Sequence, residues 1–67
     1  MLKSNVKDYM EKAGISVRKG ASLTGLSTQT LNRARQDETI LGCSLETLQT
    51  IARACGCQVK DLFTEDN

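Results

Sequence analysis

Val17-Arg18-Lys19-Gly20-Ala21-Ser22-Leu23-Thr24-Gly25-Leu26-Ser27-Thr28-Gln29-Thr30-Leu31-Asn32-Arg33-Ala34-Arg35-Gln36 is the stretch whose reading decides the fold. Ser16 just before it and Ser27 within it are good helix N-caps, because a serine oxygen accepts one of the backbone N–H groups left free at a helix start. They predict one helix from Val17 to about Thr24 and another from Thr28 to about Gln36. Between the two, Gly25 takes a positive φ at no steric cost. Ala21, four residues earlier, is small enough for one helix to cross another closely. Leu26 fills the space under the turn. Leu31, six residues past the glycine, anchors the second helix to the first, with Ala34 on the same inner side. Two short helices locked by a tight turn are the mechanical content of a helix-turn-helix.

Outward from this stretch the chain stays helical in pattern. Leu2, Val6, Tyr9, Met10 and Ala13 recur at the period of an amphipathic helix, and Gly14 can end it in the left-handed conformation. After Gln36 the periodicity weakens, so residues up to Cys43 read as a loop with Ile40 and Leu41 tucked inward. Ser44 caps a fourth helix, with Glu46 in the first turn where the macrodipole favours an acid. Leu45, Leu48, Ile51, Ala52 and Cys55 form its core stripe, and Gly56 closes it. A short fifth helix from about Val59 to Phe63 turns Val59, Leu62 and Phe63 inward, and the acidic tail 64–67 frays.

The expectation is therefore an all-α, compact five-helix domain spanning residues 1–67. The chain has 67 residues, no proline, and only Tyr9 and Phe63 as aromatics, too few strand-forming residues for a sandwich or barrel. No apolar run approaches the ~20 residues of a membrane span, and no signal-peptide hydrophobic region is present. Three cysteines, an odd number, fit a reducing cytoplasm better than a disulfide framework. Cys43, Cys55 and Cys57, with no histidine beside them, do not make the four-ligand set of structural zinc. Cys55 reads as core and the other two as loop thiols. Without histidine, and in a domain this small, neither an active site nor a small-molecule pocket is expected. No metal or cofactor is expected either.

Charge is distributed unevenly. Residues 1–36 carry seven cations against two acids, a net of +5, whereas residues 37–67 carry two cations against six acids, a net of −4. Between Ser16 and Gln36 there are four cations and no acid. Such asymmetry suggests a polyanion facing the N-terminal half, although a dipolar surface alone would look the same.

Ile15-Ser16 through Gly25-Leu26-Ser27, then Ser44-Leu45-Glu46-Thr47-Leu48, Ile51-Ala52 and Gly56, and finally Lys60-Asp61-Leu62-Phe63, resemble the Cro/lambda-repressor-like family, also called the xenobiotic-response-element family. The likeness runs from about Val6 to Phe63. It implies a sequence-specific binder of double-stranded DNA, most often a dimeric repressor or an antitoxin, with the third helix in the major groove. Carried over by position, it places Thr28, Gln29, Asn32 and Arg33 against base edges. Their chemistry suits that place, since Gln pairs with adenine, Arg with guanine, and Thr meets the thymine methyl. Arg18, Lys19, Ser27, Thr30 and Arg35 fall at phosphates, the first two at the positive end of the second helix.

The chain departs from the family pattern at three places. Val17 stands where a polar residue, often Gln, is usual. Gly20 replaces a large apolar residue and should weaken the second helix by about 1 kcal/mol. Asp37-Glu38 follow the third helix where glycine and basic residues are common. These departures keep a second expectation in view, a helical protein-interaction module of the same fold. For the DNA-binding reading a homodimer is expected, because one helix reads too few base pairs for an operator. Its pairing surface is expected in the C-terminal half, around the Ile40-Leu41 loop or the fifth helix.

Overall fold

A computed structural model describes residues 2–65. In chain order they form strand β1 (Leu2–Ser4), helices α1 (Val6–Lys12), α2 (Val17–Thr24) and α3 (Thr28–Ala34), a 3-10 turn at Ile40–Gly42, helix α4 (Leu45–Cys55), a second 3-10 turn at Val59–Leu62, and strand β2 (Phe63–Glu65). Each of the three serine caps forms as the sequence requires. Ser16, Ser27 and Ser44 accept from the backbone N–H of Lys19, Thr30 and Thr47. The left-handed glycines close their elements too, with φ 70° at Gly14, 74° at Gly25 and 73° at Gly56.

The all-α, five-helix expectation is overturned: among the described residues there are four helices and a two-stranded sheet. β1 and β2 pair antiparallel, with Leu2 opposite Glu65, Lys3 opposite Thr64 and Ser4 opposite Phe63. Asn5 continues the ladder, its N–H donating to Leu62 O at 2.8 Å. Its side chain also donates to Asp61 O and Thr64 Oγ1, at 3.2 and 2.9 Å. Leu2 therefore belongs to a strand, although its spacing from Val6 fits a helix. In place of a fifth α-helix, Asp61 N donates back to Gln58 O while the Asp61 carboxylate accepts from Gln58 N. That capping box tightens the turn, and Phe63 then goes extended at φ −148°, ψ 155°. Thr64 and Glu65, expected to fray, are strand residues; Asp66 and Asn67 of the same tail lie outside the described residues.

The core consists of Val6, Met10, Leu31, Ala34, Ile40, Leu48, Ile51, Ala52 and Leu62. It draws on every helix except α2, which packs through backbone at Gly20 instead. Two leucines expected inside are outside: Leu41 is 77% exposed and Leu45 71%. Ile40 alone fills the site under its turn. At the first residue of α4, Leu45 sits on the flank of the stripe made by Leu48, Ile51 and Ala52. Cys55 packs half-buried at the core's edge.

Gly20 corrects a further expectation. The small residue that permits close helix crossing is not chiefly Ala21, which is half-buried, but Gly20, which is buried. A β-carbon there would stand 3.1 Å from Met10 Cε, 3.3 Å from Leu31 Cδ1 and 3.4 Å from Ile15 Cγ2. The propensity lost at this position is matched by tight packing of α2 over α1 and α3.

Substitution at Gly20 should separate these two effects. Gly20→Ala gains about 1 kcal/mol of helix propensity and spends it displacing the end of Met10, so urea unfolding should give a stability within about 1 kcal/mol of the parent. Gly20→Leu has no such room and should lose about 1–3 kcal/mol, the cost of overpacking a filled core.

Candidate nucleic-acid interface

Helix α3 turns Leu31 and Ala34 into the core and Thr28, Gln29, Asn32 and Arg33 out to solvent. The division follows from 3.6-residue periodicity for positions 29, 32 and 33, which lie opposite 31 and 34, while Thr28 is on the flank at the helix's first residue. All four expected base readers therefore share one exposed face. Of the expected phosphate contacts, Arg18 and Lys19 are exposed in the first turn of α2, which has no acid. Its N-terminus thus presents a positive dipole end together with two cations.

Ser27 and Thr30 are more constrained. The Ser27 hydroxyl accepts from Thr30 N at 3.1 Å and lies 2.9 Å from Thr30 Oγ1. Part of the hydrogen-bonding capacity of both hydroxyls is thereby used in starting α3. Arg35 departs furthest from a solvated phosphate contact. It is half-buried, and its Nε is enclosed without a hydrogen-bond partner among the described residues.

The turn before α3 is braced by a residue that sequence reasoning passed over. Thr24 Oγ1 donates to Gly20 O at 2.7 Å and accepts from Leu26 N at 3.2 Å. Gly25 N donates to Ala21 O at 2.9 Å, and Leu26 packs half-buried on the core, as expected of it. The entry angle of α3 is thus fixed by hydrogen bonds on both sides of the glycine.

Its exit is fixed by one residue just beyond it and by another far away in sequence. Thr39 Oγ1 donates to Arg33 O at 2.6 Å. The Ser4 hydroxyl donates to Ala34 O, and Ser4 N donates to Asp37 Oδ1 at 2.7 Å. Asp37, a departure from the family pattern, thus holds β1 against the end of α3. No local signal points to Ser4 or Thr39. For Asp37 the only hint was an acid standing where bases are common.

A family model for the Cro/C1-type HTH DNA-binding domain matches residues 5–65. The chain belongs to that family. A comparison with curated proteins returned no match. By that membership the chain is a helix-turn-helix DNA-binding domain of regulatory type.

The rest of the surface shows what lies outside that interface. Among the described residues no three His, Cys, Asp or Glu side chains are grouped so as to hold a metal ion. No described helix is long and apolar enough to cross a membrane. All three cysteines are half-buried free thiols, and Cys43 and Cys57 lie in loops, as read from the sequence. Burial pushes each thiol above its ordinary range; at Cys43 the Arg33 guanidinium offsets part of that rise, and at Cys57 the neighbouring Cys55 and Asp61 add to it.

Two measurements check this geometry. Asp37→Ala should remove about 0.5–1.5 kcal/mol and speed amide exchange at Ser4 while leaving exchange within α4 unchanged. Because the thiols are held protonated in the fold, iodoacetamide at pH 7 should label all three cysteines more slowly than in urea-unfolded chain, read by mass spectrometry.

Proposed function

We propose that this domain is a sequence-specific transcriptional regulator of phage or bacterial type, most simply a cytoplasmic repressor. In this reading α3 lies in the major groove of double-stranded DNA. The observation that carries it is the α3 face itself: Thr28, Gln29, Asn32 and Arg33 stand exposed together, with no acid anywhere from Ser16 to Gln36. A face that only needed to be soluble would not require amide and guanidinium groups grouped opposite its anchors.

In this reading Gln29 and Arg33 make bidentate contacts to adenine and guanine, and Thr28 and Asn32 complete the base set. Arg18 and Lys19 hold one phosphate strand at the start of α2, with Ser27 and Thr30 at the other side of the turn. Arg35 contributes its charge through a guanidinium anchored by a packed stem. The chain acts as a homodimer, because one helix contacts only four or five base pairs. Two-fold pairing sets the recognition helices about 34 Å apart on a palindromic site. The reading assigns no catalysis, cofactor, small-molecule substrate or membrane attachment to the domain.

The test uses fluorescence anisotropy on a duplex selected from a random library, with an unrelated duplex beside it. Affinity should fall steeply with salt, with a log–log slope of about −0.9 for each phosphate neutralised. Gln29→Ala and Arg33→Ala should each relax preference at one base pair per half-site by about 1–3 kcal/mol. Arg18→Ala and Lys19→Ala should weaken both duplexes alike and flatten the slope by about one unit. A folded protein with no duplex affinity at low salt would instead be a protein-interaction module of the same fold.

A further inference from the structure

Helix α4 sends Leu48, Ile51 and Ala52 into the core and leaves its opposite face uncovered. On that face lie Leu45, which is 71% exposed, and the exposed side chains of Glu46, Gln49 and Arg53. With half-buried Thr50, and Val59 from the following turn, they line an open groove of about 700 Å³. A solvated helix face does not need an exposed leucine at its edge, nor a second apolar side chain lining the same trough.

The charges along this face decide what can cover it. Glu46 is in the first turn of α4 and Arg53 in the last. Seven residues apart on one helix, they stand about 10 Å apart along the axis and cannot neutralise each other. An antiparallel second α4, related by a two-fold axis passing between Gln49 and Thr50, brings Glu46 of each copy opposite Arg53 of the other. A parallel copy would set Glu46 against Glu46 and Arg53 against Arg53. The same two-fold keeps like flanks together, so Leu45 of each copy faces the groove that Leu45 and Val59 of the other help to line.

We propose that this groove on α4 is the surface on which a second copy of the chain docks, antiparallel, with two reciprocal Glu46–Arg53 pairs and Leu45 of each copy facing the groove of the other. The proposal deepens the homodimer reading above and rests on it. It moves the pairing surface from the Ile40-Leu41 turn to the face of α4, and keeps Val59 of the expected fifth helix at its edge.

Sedimentation equilibrium from micromolar to millimolar protein, free and on a palindromic duplex, tests it. The parent should show a monomer–dimer equilibrium. Glu46→Arg and Arg53→Glu should each weaken dimerisation about tenfold or more, because each creates two like-charge contacts. The double variant, Glu46→Arg with Arg53→Glu, should return to within about threefold of the parent, since the swapped charges again face opposites. Leu45→Ser should weaken the dimer without any change of charge. All of these side chains are exposed, and circular dichroism verifies that each variant is folded. If the single reversals leave the dimer intact, or the double reversal fails to restore it and Leu45→Ser has no effect, this face is not the surface, while the dimer reading stands. Leu41→Ser abolishing a dimer that tolerates Glu46→Arg would likewise overturn the proposal and return the surface to the turn. A parent that stays monomeric both free and on DNA overturns the proposal and the dimer reading together, whereas base preference at Gln29 and Arg33 is scored separately.

Discussion

At Gly20 the backbone of α2 comes so near its neighbours that Met10, Ile15 and Leu31 converge on the space a side chain would occupy. Leu31 is the inner anchor of α3, and Met10 the inner anchor of α1. One missing side chain thus sets the distance between three helices. Had α2 been held off by a larger residue, Leu31 would have to withdraw and carry Gln29 and Arg33 with it. The interior is close-packed, so such a shift is not absorbed locally but passed to whatever stands on the far side of the helix. Here that far side is the exposed face that carries Thr28, Gln29, Asn32 and Arg33.

Around this contact the orientation of α3 is settled by hydrogen bonds of two kinds. Those at its start are local: Ser27 to Thr30, and Thr24 across the turn to Gly20 and Leu26. Those at its end are remote, running from Ser4 to Ala34 and Asp37. The local set fixes direction, while the remote set prevents the exposed helix from unwinding at its C-terminal turn, where seven residues have little cooperativity of their own. An acid that looked out of place after α3 is here a structural acceptor.

This difference between local and remote explains what could be read from the sequence. Serine caps, left-handed glycines and the Leu31–Ala34 anchors are signals within four residues of their effect, and each was legible. The set Thr28, Gln29, Asn32 and Arg33 was implied by the family resemblance, and the anchors Leu31 and Ala34 agree with its exposure. β1 and β2 were not legible, because three-residue strands carry almost no pattern and their partners lie some sixty positions away. Leu2 misled for the same reason: a spacing of four from Val6 suits a helix whether or not one forms. Leu45 misled because apolar periodicity cannot tell the flank of a stripe from its centre at a helix's first residue. Gly20 was read for its propensity, a local property, when its role is the three-dimensional one of absent volume.

The pairing of β1 with β2 places the first and last described residues side by side, with Leu2 opposite Glu65. In kinetic terms this is the contact of greatest sequence separation among the described residues, and its loop-closure entropy must be met before its few ladder bonds form. The helix-turn-helix, whose contacts are short-range, can assemble beforehand and be tied at the exit of α3 only when the ends meet. The paired strands also make residues 2–65 topologically almost a ring. A short glycine-rich linker could join Glu65 to Leu2, and the backbone could be opened instead at the exposed Gly42 turn. The circular permutant would keep every helix and both strands in place while changing which part of the fold is made last.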